Sequence, residues 1–89
     1  MKAVITVIGT DTMGIIAQVS TQCAQNKVNI LDITQKVFED TFAMIMLVEV
    51  DSLNVEFSVF VDNMTHLGAK IGVIIHTMHE DIFNSMHKI

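Results

Sequence analysis

The fold is organised around one stretch, residues 9–16 with the sequence Gly-Thr-Asp-Thr-Met-Gly-Ile-Ile, which joins an apolar strand pattern to the first helical pattern. Its glycines, Gly9 and Gly14, allow positive φ angles and a close approach of the backbone to a bound group. The first turn of the helix adds unpaired N–H groups and a positive dipole end, which suit an anion or a carboxylate. The glycine spacing differs from that of nucleotide-binding loops, and no Lys-Ser or Lys-Thr pair follows Gly14. The stretch therefore predicts a small-ligand site without a nucleotide, the alternative being that the glycines only turn a strand into a helix.

Composition favours one self-associating domain over residues 1–89. A chain of 89 residues buries a modest core, yet 51% of the residues are hydrophobic, and exposed apolar surface commonly marks an interface. We therefore expect a homo-oligomer. The net charge is −5, arginine is absent and the five lysines are scattered, so the basic stripe that binds phosphate backbones is missing. Direct nucleic-acid binding is not expected.

The apolar runs and the cysteine content point to a cytoplasmic protein. The longest uninterrupted apolar run, residues 42–48, is too short to span a bilayer, so no membrane association is expected. The opening Met-Lys-Ala leads directly into a strand pattern and not into a signal peptide. Cys23 is the only cysteine and lies on the apolar stripe of a helix, which predicts a buried, inert thiol and not a nucleophile.

The first half of the chain has the pattern strand, helix, strand, strand. The first strand covers residues 2–8 and is apolar on both faces. The first helix begins at Thr12 or Met13 with Asp11 or Thr12 as its cap, and Asn26-Lys27 ends it. Its apolar stripe contains Ile16, Val19 and Cys23. The second strand, residues 28–38, has one polar face, and a turn at Glu39-Asp40 leads to a third strand over residues 41–50 that is apolar on both faces.

The second half has the pattern helix, strand, short helix. Asp51 or Ser52 caps the second helix, and Gly68 ends it. Its apolar positions are Leu53, Phe57, Phe60, Val61, Met64 and Leu67. A fourth strand covers residues 70–78, and a short final helix begins with Glu80 and Asp81. The apolar stripe of that helix consists of Ile82, Phe83, Met86 and Ile89.

This order predicts an α+β fold, a ferredoxin-like βαββαβ sandwich with a four-stranded antiparallel sheet and an extra C-terminal helix. The first two helices cover one face of the sheet. Because the first and third strands are apolar on both faces, the opposite face requires the final helix or a second subunit.

The element order and three local features resemble the ACT domain, a ligand-sensing module attached to many enzymes of amino-acid metabolism. The features are the strand that enters residues 9–15, the phase of the helix that follows, and Val28-Asn29-Ile30 at the start of the second strand. The length and residues 81–86 resemble a free-standing subgroup related to the regulator of the glycine cleavage operon, which itself carries two such domains. The resemblance implies that Asn29 and Asp11 hold an amino acid at the seam between two subunits. Met13 stands where many members have proline.

The candidate ligand-binding residues are Asp11, Thr12, Met13, Gly14, Ile15, Asn29 and Ile30. The carboxylate of Asp11 would bind a ligand ammonium group, the amide of Asn29 would hydrogen-bond to the ligand, and N–H groups near Gly14 would face its carboxylate. We expect a non-enzymatic, amino-acid-binding regulatory domain that acts as a homodimer, with a partner enzyme or regulator and without a cofactor. The alternative is a structural protein–protein interaction module without a small ligand.

Other candidate chemistry carries less weight. His76, His79 and Glu80 place three metal-ligand types within five residues, but their spacing fits no standard site and an extended strand points the two imidazoles to opposite faces. No metal is expected. Asp11 and Asp32 form a conceivable acid–base pair, but the sequence places no nucleophile or second basic group beside them, so no catalytic residue is assigned. The seven methionines fall mostly on apolar positions and are expected to fill the core or an interface.

Overall fold

The computed structural model describes residues 1–10 and 13–86. The elements in chain order are β1 (Lys2–Thr10), α1 (Ile15–Gln25), β2 (Asn29–Phe38), β3 (Thr41–Glu49), α2 (Phe57–Ile71), β4 (Ile74–His79) and α3 (Glu80–Met86). The four strands form one antiparallel sheet in the order β2-β3-β1-β4. This confirms the predicted ferredoxin-like fold with its additional C-terminal helix.

The core lies between the sheet and helices α1 and α2. Alternate residues of β1 and β3 are buried on this face, as the two-residue period of a strand requires. The largest fully buried side chains come from both strands and both helices: Phe60, Ile5, Met44, Met46, Met64, Val7, Val19, Val48 and Cys23. Methionine is unbranched and adapts to irregular gaps, so three of these residues fill space between the sheet and the helices.

Helix α1 begins later than predicted, and its buried stripe has a different phase. Gly14 is the N-cap, where Asp11 or Thr12 was predicted; those two residues lie outside the described part of the chain. The stripe contains Ile15, Val19 and Cys23, whereas Ile16 is 37% exposed and was wrongly placed in the core. Ile15, Val19 and Cys23 follow one another at four-residue spacing, which places them on one face of the helix, toward the sheet. The predicted end at Asn26 is confirmed.

Helix α2 is displaced toward the C-terminus from its predicted bounds. Glu56 is its N-cap, so Asp51 and Ser52 lie in the preceding loop and cap nothing. The helix continues through Gly68 and ends at Gly72, which has a φ of 81°. A Cβ on Gly68 would lie 2.8 Å from the carbonyl oxygen of Val73. Gly68 therefore lets α2 approach β4 closely and does not end the helix. Because α2 continues to Ile71, β4 begins at Ile74 and not at residue 70 as predicted.

A buried amide joins the end of α1 to the loop before α2. Asn26 accepts hydrogen bonds at its Oδ1 from Nε2 of Gln22 at 2.8 Å and from Nδ2 of Asn63 at 3.4 Å. Its own Nδ2 donates to Oδ1 of Asn54 at 3.3 Å, and its carbonyl oxygen accepts from the backbone N–H of Asn54 at 3.2 Å. These bonds satisfy a polar side chain that is buried at the helix end, so the role of this cluster is structural.

Strand β2 is a free edge that is more exposed than predicted. Only Ile30 is partly buried, so both faces of the strand are open where one was expected to be covered. A bulge between Ile30 and Asp32 shifts the register against β3. The two helices do not reach the far half of β2, where Val37 is 61% exposed. The predicted turn at Glu39-Asp40 is present, and Glu39 has a φ of 57°.

The second face of the sheet carries α3. This helix begins with Glu80 and Asp81 as predicted and packs on β1 and β4. Phe83 is half-buried, whereas Ile82 and Met86 remain more than half exposed. His87, Lys88 and Ile89, which complete the predicted helix, lie outside the described residues. No helix in the described part of the chain is long and apolar enough to cross a membrane.

Candidate functional site

The two glycines of the β1–α1 connection have different roles. Gly9 lies within β1, and a Cβ on it would stand 2.6 Å from Cγ1 of Val73, so this glycine allows close packing against the start of β4. Gly14 has a φ of 82°, and no atom lies within 4 Å of the position of a Cβ. Both glycines were expected to adopt positive φ angles, but only Gly14 does so, and Gly9 serves close packing instead.

Gly14 leaves the start of α1 open. As a glycine N-cap it has no side chain that could cover the first N–H groups of the helix. Its carbonyl oxygen accepts the first helical hydrogen bond, from the N–H of Gln18 at 3.0 Å. The N–H groups of residues 15–17 precede this bond and have no partner within the helix. Together with the helix dipole they form an environment that favours a carboxylate or another anion.

The other candidate residues of the β1–α1 loop are Asp11, Thr12, Met13 and Ile15. Asp11 and Thr12 lie outside the described residues. Met13 is 97% exposed, so its side chain is free to cover a bound molecule. Ile15 is 4% exposed and packs in the core, so only its backbone can face a ligand. The described residues 13–15 thus offer backbone donors and one exposed apolar side chain.

Asn29 and Ile30 lie at the opposite end of the sheet from this loop. Asn29 is level with Glu49 of β3, which pairs with Lys2 at the start of β1. The β1–α1 connection instead follows Thr10, which pairs with Thr41. Eight residue steps of β1 separate the two levels, and at about 3.4 Å per residue this is roughly 27 Å. Within one chain, Asn29 and Gly14 cannot contact the same small molecule.

The two histidines of the predicted metal cluster face opposite sides of the sheet. His76 lies opposite Thr6 on the face that carries α3. The ring of His79 contacts Phe57 of α2 on the other face, with 5.7 Å between the ring centroids. The imidazoles therefore do not share a site, as the strand geometry predicts. Among the side chains of residues 1–10 and 13–86, no group of three potential metal ligands is found.

Cys23 and Asp32 lie apart from the candidate site. Cys23 is fully buried, which confirms its predicted burial, and loss of hydration raises the pKa of its thiol from 9.0 to about 11. Asp32 is exposed on β2 opposite Leu47, toward the Asn29 end of the sheet. Asp11, its conceivable partner in acid–base chemistry, lies outside the described residues.

The sequence reasoning did not identify a cavity between α3 and the sheet. Its volume is about 380 Å³, and its wall is almost entirely apolar, with Ile8, Ile45, Met78 and Phe83 among the lining residues. The sequence feature that relates to this cavity is that β1 and β3 are apolar on both faces. That pattern predicted that another element packs on the second face of the sheet, but it could not predict that the packing leaves a space.

Known proteins resemble this chain in sequence and in structure. A family model described as the ACT domain matches residues 2–77. A UPF0237 protein of Methanococcus maripaludis is 48% identical over 88 residues, which cover 99% of this chain and 98% of the relative. An ACT domain protein from Streptococcus pneumoniae superposes with a TM-score of 0.82 and 36% identity, covering 98% of both chains. A putative glycine cleavage system transcriptional repressor superposes with a TM-score of 0.69 and 28% identity, covering 85% of this chain and 43% of that one.

Proposed function

Since this chain belongs to the ACT domain family, whose modules are regulatory and bind small molecules, we propose that it is a non-enzymatic, cytoplasmic homodimer that binds an amino acid or a related metabolite. The proposal is supported by two observations taken together: Gly14, which has no side chain, is the N-cap of α1, and β2 is an edge strand of the sheet. The first supplies donors for a carboxylate, and the second supplies a surface on which a second copy can complete the site.

The edge of β2 suits pairing with another strand. It presents unpaired backbone N–H and C=O groups along ten residues, with exposed apolar side chains such as Val37 and Phe38 beside them. Twofold symmetry makes two copies of this edge antiparallel to one another. The start of one β2 then lies beside the end of the other. Asn29 of the second copy thereby reaches the end of the sheet from which the β1–α1 loop of the first copy emerges.

The site formed in this way has groups for each part of an amino acid. The N–H groups at Ile15 and the next residues of α1 bind the carboxylate, and the open space at Gly14 lets the ligand approach them. The amide of Asn29 and the side chain of Ile30 come from the second copy. Asp11 supplies a negative charge for the ammonium group, and Thr12 and Met13 complete the loop. A bound amino acid therefore stabilises the dimer. This change in assembly transmits the binding event to a partner enzyme or regulator.

Calorimetric titration with the twenty common amino acids tests the proposal. The wild-type chain binds at least one of them, and Gly14→Val abolishes this binding because a side chain blocks the approach to the N–H groups. Gly72→Val is the matched control, since Gly72 has a φ of 81° and equally open space around its Cβ position. It carries the same backbone strain and retains binding. Asn29→Ala loses binding, whereas Asn84→Ala, which removes an exposed amide on α3, does not.

A mixing experiment separates a site between chains from a site within one chain. Each of the variants Gly14→Val and Asn29→Ala is inactive alone. In a mixed dimer one of the two sites receives the intact Gly14 loop and the intact Asn29, so random exchange restores about a quarter of all sites. No recovery on mixing would contradict a site shared by two chains. A wild-type dimer that binds none of the amino acids would favour the alternative, a protein–protein interaction module built on the β2 edge.

A further inference from the structure

The free edge strand β2 carries two opposite charges on one face. Asp32, Thr34 and Lys36 alternate along the strand and are level with residues of β3 that point away from α1 and α2. Four residue steps, or about 14 Å, separate the two charged residues, so they cannot bind one another within one chain. Both are exposed, and no salt bridge to either is present in the described part of the chain. Each charge is therefore available to a partner beside the edge.

The two charges are placed symmetrically about Thr34. In an antiparallel pair of β2 strands with a twofold axis at Thr34, residues at equal distances on either side of Thr34 lie opposite one another. Asp32 of one copy then lies opposite Lys36 of the other, and the symmetry produces this pair twice. The Cβ atoms of directly opposed residues are about 5 Å apart, which allows an ion pair. Residues 32–38 pair with β3 without a bulge, so this part of the edge is regular.

Other positions of the axis lose this match. Opposed residues must share a face, so the nearest alternatives place the axis at Ile33 or at Gln35. An axis at Ile33 sets Asp32 opposite Thr34, and an axis at Gln35 sets Lys36 opposite Thr34. An axis at either charged residue sets like charges opposite one another, which destabilises a strand pair. The charges therefore favour the axis at Thr34.

The two ends of β2 also match in charge. Lys27 lies just before the strand, Glu39 and Asp40 form the turn after it, and all three are exposed. Antiparallel pairing brings the start of each β2 beside the end of the other. Lys27 of one copy therefore lies near the acidic turn of the other, which adds to the complementarity of the edge.

We propose that two copies of this chain pair along β2 with the twofold axis at Thr34, held in register by two ion pairs between Asp32 and Lys36. The proposal rests on the β2 dimer of the proposed function and specifies how its second copy is placed. This register brings Asn29 of the second copy level with the turn after Phe38. Moving the axis by one residue moves Asn29 by about 7 Å along the edge, so the register determines what the second copy presents at the β1–α1 loop.

Analytical ultracentrifugation of charge-exchanged variants tests the ion pairs. Asp32→Lys and Lys36→Asp each create two pairs of opposed like charges, and we expect either change to raise the dimer Kd about tenfold or more at low salt. The double variant, and an equal mixture of the single variants, restore opposite charges and recover the wild-type affinity. Asp62→Lys and Lys70→Asp, at exposed positions of α2, make the same changes in net charge and leave the Kd unchanged.

Salt and recovery distinguish lost ion pairs from misfolding. In 1 M salt the Debye length is about 3 Å, so the differences between the variants and the wild type shrink. An unchanged Kd in both single variants, or no recovery in the double variant and the mixture, would overturn the proposal.

Cysteine substitutions measure the register independently of charge. Cys23 is fully buried, so an introduced surface cysteine is the reactive thiol. Thr34→Cys forms a disulfide between copies on oxidation, because directly opposed residues are about 5 Å apart. Ile33→Cys and Gln35→Cys do not, because their equivalents in the second copy are diagonal, about 7–8 Å away.

These crosslinks also separate the register from the rest of the proposed function. Crosslinking of Ile33→Cys or Gln35→Cys in place of Thr34→Cys would overturn the register while supporting the β2 dimer. A dimer that crosslinks at none of the three positions would overturn both. Selective crosslinking of Thr34→Cys supports the register even if none of the common amino acids binds.

Discussion

Replacing Gly68 with alanine adds a single methyl group at the point where α2 touches β4. The built Cβ lies 2.8 Å from the carbonyl oxygen of Val73 and 3.2 Å from the backbone nitrogen of Ile75. Both atoms belong to the backbone of the segment that enters and forms β4, so neither can rotate away from the added methyl. The same contact contains the hydrogen bond from the N–H of Val73 to the carbonyl oxygen of Gly68, at 2.9 Å. The methyl group must therefore move the helix away from the strand.

Two opposing terms set the size of the effect. Alanine is favoured over glycine in a helix interior by about 1 kcal/mol. Overpacking of a close contact costs about 1–3 kcal/mol, and a clash with backbone belongs in the upper part of that range. We expect Gly68→Ala to lower the free energy of unfolding by about 1–2 kcal/mol net. For a domain of this size, that corresponds to a melting temperature about 4–16 °C lower.

Urea denaturation and calorimetry at one fixed protein concentration measure this difference, because self-association makes the apparent stability depend on concentration. Ala69→Gly is the control: it lies at the adjacent, exposed position of α2 and reports the helix-propensity term alone. Subtracting that term leaves the cost of the close contact. A Gly68→Ala variant as stable as the wild type, or more stable, would refute the conclusion that this glycine exists for the approach of α2 to β4.

Three further outcomes are expected. Gly14→Ala and Gly72→Ala each lower the free energy of unfolding by about 1 kcal/mol in denaturant titrations, because both positions have a positive φ although both have open space for a Cβ. An unchanged free energy of unfolding would mean that the backbone relaxes there. The thiol of Cys23 has a pKa of about 11 instead of 9.0, so at pH 8 it reacts with iodoacetamide about 100-fold more slowly than a free thiol, and its reaction rate rises with pH until about pH 11. Rapid labelling of the folded protein would contradict the burial of this thiol. Val37→Lys on the β2 edge lowers the sedimentation coefficient toward that of a monomer, whereas Val59→Lys on the exposed side of α2 does not change it. Equal effects of the two variants would place the interface elsewhere.

Local periodicity was sufficient to predict the order of the elements. The alternation in β1 and β3 indicated which residues share a face, and Ala3, Ile5 and Val7 are buried together on the face toward the helices. The turn at Glu39-Asp40 and the end of α1 at Asn26 were also predicted correctly, because turn and cap preferences depend on a few neighbouring residues. These features require no knowledge of which element packs against which.

The ends and phases of the helices required tertiary contacts. Gly68 and Gly72 carry the same local signal for a helix end, and only the approach of β4 decides that Gly68 stays inside the helix while Gly72 ends it. In α1, Ile15 and Ile16 are equally apolar, and the packing of the helix against the sheet buries Ile15 with Val19 and Cys23 while Ile16 stays partly exposed. A single-residue difference of this kind lies below the resolution of a periodic pattern.

The sequence by itself determined that the chain forms a ferredoxin-like domain, because the alternation and helical periodicity that predict the order of the elements are local properties. Only the tertiary structure decided how the candidate residues lie relative to one another. Strand register puts Asn29 at one end of the sheet and Gly14 beyond the other, although both belong to the same predicted site. It also leaves β2 as a free edge and an open, concave apolar region beside α3 on the second face of the sheet. Such distances arise from packing between elements remote in sequence, which no local pattern encodes.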